Sequence, residues 1–203
     1  MTTFQLYLAS SSSRRAELLE QIGIRYRIVK PEIVEEIAEK ESPEEMVMRL
    51  AIEKARRGME MVKQPLPVLG ADTIVLVCKK VLGKPGGRNE AKEMLTSLSG
   101  RTHRVLTAIA VCQDDRVETA ISETFVRFRH LTEEELINYC NTEEPLDKAG
   151  AYAIQGKGAV FVESIRGSYS GVVGLPLMET SRLLSLFDIN CLGNRNNGLV
   201  RDN

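Results

Sequence analysis

Two charged side chains stand where the pattern calls for apolar ones. Asp72 interrupts the β-branched run from Val68 to Val77. Aspartate is depleted in strands, so it marks either the end of a strand opening on a site or a buried structural carboxylate. Lys54 falls on the face of a helical repeat defined by Val47, Leu50 and Ala51. An ammonium is costly to bury without an anion, so it either snorkels past the edge or points into a polar cleft. Ser10 to Arg15 sets hydroxyls and the amides of an expected helix N-terminus beside Arg14 and Arg15. That is an anion site in the making, because amide hydrogens, the helix dipole and a planar guanidinium all favour negative charge; a serine cap with two solvated arginines is spelled the same way.

Three further places carry weaker signals. Lys84, between Gly83 and Pro85, either swings an ammonium toward the same site or is a solvated loop lysine. Asp147 to Gly156 surrounds Asp147, Lys148, Tyr152 and Gln155 with small residues; Gln155 offers the donor and acceptor pair that reads a base edge, unless the stretch is an ordinary turn. Glu35 is either a metal ligand or part of the solvated acidic stretch from Glu32 to Glu41. His103 and His130 are isolated, and no Ser, His, Asp order with motif context occurs. No G-x-x-x-x-G-K-[ST] occurs either, so a phosphate site here is not a P-loop. Carboxylates, arginines and lysines without a histidine base favour metal-assisted attack of water on a phosphate over acyl transfer.

The elements that must position these residues follow from periodicity. A strand over Gln5 to Ala9 leads into a helix carrying Leu18, Leu19 and Ile22 and closed by Gly23, and Ile24 to Ile28 alternates as a half-solvated strand. Ser42, Pro43 and Glu45 form a capping box that predicts a helix to about Met61. Val68 to Val77 predicts a strand with a hairpin through Lys79 and Lys80, and Asn89 a helix ending before Gly100. Arg104 to Cys112 and Val117 to Phe128 read as strands joined at Asp114 and Asp115, followed by a helix capped by Thr132 and Glu135. Strands near Ala159 to Ile165 and Gly171 to Val173 and a helix from Pro176 complete a mixed α/β pattern.

The chain of 203 residues suffices for one folding unit, expected over 1–189, whereas 190–203 holds five asparagines and two glycines and is not expected to pack. With 27 basic against 28 acidic side chains it lacks the positive field of a general nucleic-acid binder. Cys78, Cys112, Cys140 and Cys191 form no zinc spacing and read as reduced thiols. No apolar stretch of about 18 residues and no secretion signal occurs, so no membrane association and a cytoplasmic address are expected.

The segments L-A-S-S-S-S-R-R at 8–15, L-G-A-D-T-I-V at 69–75, G-K-P at 83–85, L-S-G-R-T-H at 98–103, E-P-L-D-K-A-G-A-Y-A-I-Q-G at 144–156 and V-V-G-L-P-L at 172–177 together resemble the Maf family of nucleotide pyrophosphatases. The resemblance implies an elongated α/β fold, with a mixed, twisted sheet flanked by helices and a central cleft between two lobes, related to the house-cleaning inosine triphosphate pyrophosphatases. It implies hydrolysis of a nucleoside triphosphate to the monophosphate and pyrophosphate, with Asp72 as general base. Ser10, Arg14, Arg15, Lys54 and Lys84 would contact the phosphates, and Glu35 with Asp72 would hold a divalent metal, Mg²⁺ or Mn²⁺. Arg14, Thr73 and Gln155 fall on base-selecting positions, and the Ile154, Gln155, Gly156 form resembles the branch acting on dTTP and UTP. Ser13 departs from the family's usual proline. A homodimer is compatible with the resemblance, and a nucleotide-binding regulator of cell division or septum formation without essential turnover is the second expectation.

Overall fold

The computed structural model describes residues 4–34 and 41–192. Strand β1 (Leu6–Ala9) is buried along its whole length. Leu6 and Leu8 enter one apolar cluster and Tyr7 and Ala9 another, as a central strand covered on both faces requires. Helix α1 (Ser13–Gln21) buries Ala16, Leu18 and Leu19 on the Leu6 and Leu8 side, then reverses at Gly23 into β2 (Tyr26–Val29), parallel to β1. Helix α2 (Pro43–Glu60) starts at the expected capping box: the Ser42 hydroxyl accepts from the Glu45 amide, and the Glu45 carboxylate accepts from the Ser42 amide. It packs on the opposite face and delivers the chain to β3 (Val68–Val77), parallel to β1 on its other side. Successive crossovers on opposite faces make the C-terminal end of β1 a switch point of the sheet, where α/β folds leave a crevice.

Two features of β3 shape that crevice. A Cβ on Gly70 would collide with the Ala51 carbonyl oxygen and lie 2.6 Å from the Ala55 amide, so only glycine lets α2 lie flush on the strand. Lys54, between those two alanines, is thereby brought down onto β3. The second feature is a gap in the ladder. One edge of β3 pairs antiparallel with β5 (Thr102–Gln113) from Val68 to Leu76. The other edge pairs with β1 only up to Gly70 and with β4 (Lys80–Leu82) only from Val75 onward, which leaves Ala71 to Ile74 on this edge without a neighbouring strand among the described residues.

The rest of the chain closes the far side. Helix α3 (Arg88–Leu98), β6 (Arg116–Phe128), α4 (Glu133–Cys140), β7 (Val162–Arg166), α5 (Tyr169–Val173) and α6 (Leu177–Ser185) follow in order. The seven-stranded sheet runs β2-β1-β3-β5-β6-β7, with β4 on β3. It is mixed and flanked by helices, as expected. Among the described residues no helix is long and apolar enough to cross a membrane, and all four cysteines are free.

Several local expectations are corrected. Gly171 to Val173 is helical, because the Ser168 hydroxyl accepts from the Gly171 amide and caps a short helix that overrides the strand preference of two valines. Residues 157–161 form a 3₁₀ turn, so the strand there begins at Val162. Helix α3 starts at Arg88 with Gly87 in the cap position, two residues before Asn89, which was expected to cap it. Asp72 lies mid-strand in β3 rather than at a strand end, and the gap in pairing gives it its opening. Residues 193–203, most of the segment expected not to pack, lie outside the described residues.

Candidate active site

The unpaired stretch of β3 forms one wall of a cavity of about 590 Å³. The β-pleat sends adjacent side chains to opposite sides of it. Asp72 points toward α2, where the Lys54 ammonium donates to Oδ1 at 2.5 Å; both side chains are largely buried. The lysine on the apolar face of α2 therefore neither snorkels nor packs as core, but meets a carboxylate that needs it. Thr73 points the other way, toward α1. Its hydroxyl shares a hydrogen bond of 3.0 Å with Thr107, directly opposite on β5, and accepts from Arg15 Nη2 at 3.2 Å. Thr107, fully buried, donates in turn to the Gly171 carbonyl of α5.

Arg15 is fastened along its length: Nε donates to the Gly174 carbonyl at 2.8 Å and Nη1 to the Ser10 hydroxyl at 3.3 Å. That hydroxyl also accepts from the Ser12 amide at 3.1 Å, shaping the turn between β1 and α1. Ser12 occupies the cap position of α1 but makes no side-chain capping bond, so its hydroxyl does not close off the first-turn amides. Across the cavity mouth, Arg14 Nη1 lies 3.4 Å from Asp147 Oδ2, and Lys148 pairs with the same carboxylate. Burial pushes the Asp147 carboxyl up, but Lys148 and Arg14 together hold it below its ordinary value. This ion pair joins the start of α1 to the segment that carries Gln155.

Ser10, Arg14, Arg15, Lys54, Asp72, Thr73, Lys84 and Gln155 all line this one cavity, although they come from separate stretches of chain. Glu35 lies outside the described residues; Glu32 lines the cavity. Sequence reasoning missed Thr107, whose importance emerges only once Thr73 is known to stand opposite it. It also left His103 without a role. His103 is buried at the start of β5, with Nε2 2.9 Å from the hydroxyl of Tyr152, a cavity-lining residue, and its ring edge-on to Phe128.

Burial pushes the His103 imidazole down from 6.5 to about 4, so it is neutral at pH 7 and anchors Tyr152 as a hydrogen-bonding group. An unfolded chain binds this proton at about 6.5 and the folded one only near 4, so the unfolded state carries more protons in between. The stability involved, roughly 3 kcal/mol, is fully present above the unfolded value and drains away as pH falls through that window. Urea unfolding of the wild type and His103→Gln should give curves whose separation narrows from pH 6.5 down to about 4. A separation that stays constant with pH would remove His103 as its source.

The model of the Maf-like protein family matches residues 5–187. The dTTP/UTP pyrophosphatase of Alkalilimnicola ehrlichii is 52% identical over 190 residues, an alignment that covers 91% of this chain and 94% of that one. The enzyme of the same name from Escherichia coli is 50% identical over 183 residues, with 90% and 93% covered. The one from Pasteurella multocida is 48% identical over 197 residues, with 93% and 98% covered. With a family match over residues 5–187 and relatives at about half identity along most of both chains, the protein belongs to the Maf-like protein family.

Proposed function

We propose that the protein hydrolyses dTTP and UTP to the nucleoside monophosphate and pyrophosphate. The observation that carries this reading is the buried Asp72–Lys54 pair on the open edge of β3, facing the serine and arginine turn of α1 across one cavity. A carboxylate held at fixed position beside a set of cations is the arrangement that in-line attack of water on a phosphorus needs. Pockets of about 300–1,000 Å³ suit ligands of nucleotide size.

Asp72 takes a proton from water as its oxygen bonds to the α-phosphorus, while the bond from that phosphorus to the α,β-bridging oxygen breaks and pyrophosphate leaves. Lys54, Lys84, Arg14, Arg15 and Ser10 hold the phosphate oxygens and offset the charge that collects on the leaving group. Among the described residues no three His, Cys, Asp or Glu side chains stand together as a metal cage. Asp72 and Glu32 on the cavity wall are nonetheless hard oxygen donors of the kind that binds Mg²⁺ or Mn²⁺ jointly with substrate phosphates. Such a cation, when bound, would polarise the phosphoryl oxygens and neutralise the triphosphate.

Assayed with Mg²⁺ against a panel of nucleoside triphosphates, the protein should release pyrophosphate from dTTP and UTP faster than from CTP or purine nucleotides. Release of orthophosphate, or tight nucleotide binding with no release, would overturn the proposal, and the latter would point to a nucleotide-binding regulator. Base choice is assigned to Gln155, exposed on the cavity wall, whose carboxamide can pair with the O4 and N3–H edge of a keto pyrimidine. Gln155→Glu removes the donor and adds charge, so dTTP and UTP turnover should fall about tenfold further than CTP turnover, a difference of about 1.4 kcal/mol. An equal fall for all three would take base reading away from Gln155.

A further inference from the structure

Glu144 begins the segment that ends at Gln155 and Gly156, yet it is not among the residues lining the cavity. Its carboxylate instead gathers the loop on which Gln155 sits. Oε2 accepts from the Lys157 amide at 3.0 Å, and Oε1 accepts from the Gly158 amide at 3.0 Å and from the Tyr139 hydroxyl at 2.9 Å. That hydroxyl accepts from the Ala153 amide at 3.2 Å. One carboxylate therefore ties down both sides of the turn, the side after Gln155 directly and the side before it through Tyr139. The turn is shaped around this contact: a Cβ on Gly156 would lie 2.5 Å from both Cδ and Oε1 of Glu144.

The anchor is itself held. Tyr139 is buried on α4 with its ring edge-on to Phe161 at 4.9 Å, and burial raises its phenol, which keeps it a donor. Burial also pushes the Glu144 carboxyl up, but the Gly158 and Lys157 amides and the Tyr139 phenol outweigh this and hold it below its ordinary value. The acceptor is thus ionised at neutral pH, and its bonds are of the stronger, charge-assisted kind.

We infer that Glu144 is a positioning residue for base selection, fixing through Tyr139 and the 157–158 amides the direction in which Gln155 enters the cavity. The inference rests on Gln155 being the residue that reads the base. An exposed side chain discriminates only if its backbone is fixed, since a misplacement of about 1 Å can cost as much as 100-fold. An amide cannot replace the carboxylate. Whichever way the carboxamide of a Glu144→Gln variant turned, its NH₂ would face the N–H of Lys157 or of Gly158, and one of the two bonds that hold the side after Gln155 would be lost.

The test is a cycle of Glu144→Gln, Gln155→Ala and the double variant, read as kcat/KM for UTP divided by that for CTP. Each single variant should lower this ratio about tenfold, mainly through KM for UTP, and the double variant should fall no further than Gln155→Ala alone. If Gln155→Ala lowers the ratio and folded Glu144→Gln does not, the role of Glu144 is overturned while base reading by Gln155 stands. Effects that multiply in the double variant also overturn it, because Glu144 would then act by another route. If Gln155→Ala leaves the ratio unchanged, both assignments fall. Melting curves establish that each variant is folded at the assay temperature. Should Glu144→Gln fail to fold, Tyr139→Phe keeps the ring packed and removes only the hydroxyl that links Glu144 to Ala153; it should lower the ratio when Gln155 is present and leave it unchanged when Gln155→Ala is also made, and a fall in both or in neither overturns the inference.

Discussion

Asp72→Asn is expected to lower kcat for dTTP by about 10²- to 10⁴-fold, the range that a positioned general base contributes, with little change in melting temperature. The amide keeps the size of the carboxylate and an oxygen able to accept from Lys54, so the packing between α2 and β3 survives. What disappears is the basicity that draws a proton from the attacking water, and with it one negative charge in a cavity that must receive a triphosphate. Nucleotide affinity should therefore hold or tighten while turnover collapses, and equilibrium binding beside steady-state kinetics separates the two. Retention of more than about a tenth of wild-type kcat, a loss under about 1.4 kcal/mol, would remove Asp72 from the base role.

Lys54→Met should fail in both stability and turnover. Periodicity alone predicts a mild effect on folding, since methionine fills the same apolar volume. The structure revises that, because the ammonium faces a carboxylate only 8% exposed. Removing one partner of a buried pair strands the other, at about 3–5 kcal/mol when it is fully enclosed and about 1–3 kcal/mol when water can reach it. The melting temperature should drop by several degrees, and kcat/KM by about 10²-fold or more on the proposed role of Lys54 as a phosphate-binding cation. Adding Asp72→Asn to Lys54→Met should recover most of the lost stability and none of the activity. A double variant as unstable as Lys54→Met alone would show that the ammonium stabilises the fold through something other than Asp72.

What was legible in the sequence divides along the length scale of the interaction. Helices begun by local chemistry were readable: Ser42 with Glu45 and Thr132 with Glu135 announce α2 and α4 because the capping partners lie three residues apart. The short α5 was not, because two valines favour a strand and the Ser168 cap that decides the matter looks like any other serine. Lys54 and Asp72 could each be flagged as out of place in its own element. That they belong to each other depends on Gly70 admitting α2 to the strand, a packing fact that no periodicity encodes. Thr107 and Glu144 escaped for the same reason, since their partners lie 34 residues away on β3 for one and 13 and 14 residues ahead in a turn for the other.

The pleat of β3 has a consequence for how such a protein can change. Asp72 and Thr73 are consecutive, yet one meets α2 and the other meets α1 and β5, so neighbouring residues of one strand serve two separate sets of side chains. Substitutions on the α1 side, including a library over Arg14, Thr73 and Gln155 aimed at base choice, should therefore leave the pair across the strand undisturbed. The reverse holds for length: a single-residue insertion between Gly70 and Asp72 would exchange the two faces, so this strand should tolerate substitution far more readily than any insertion or deletion.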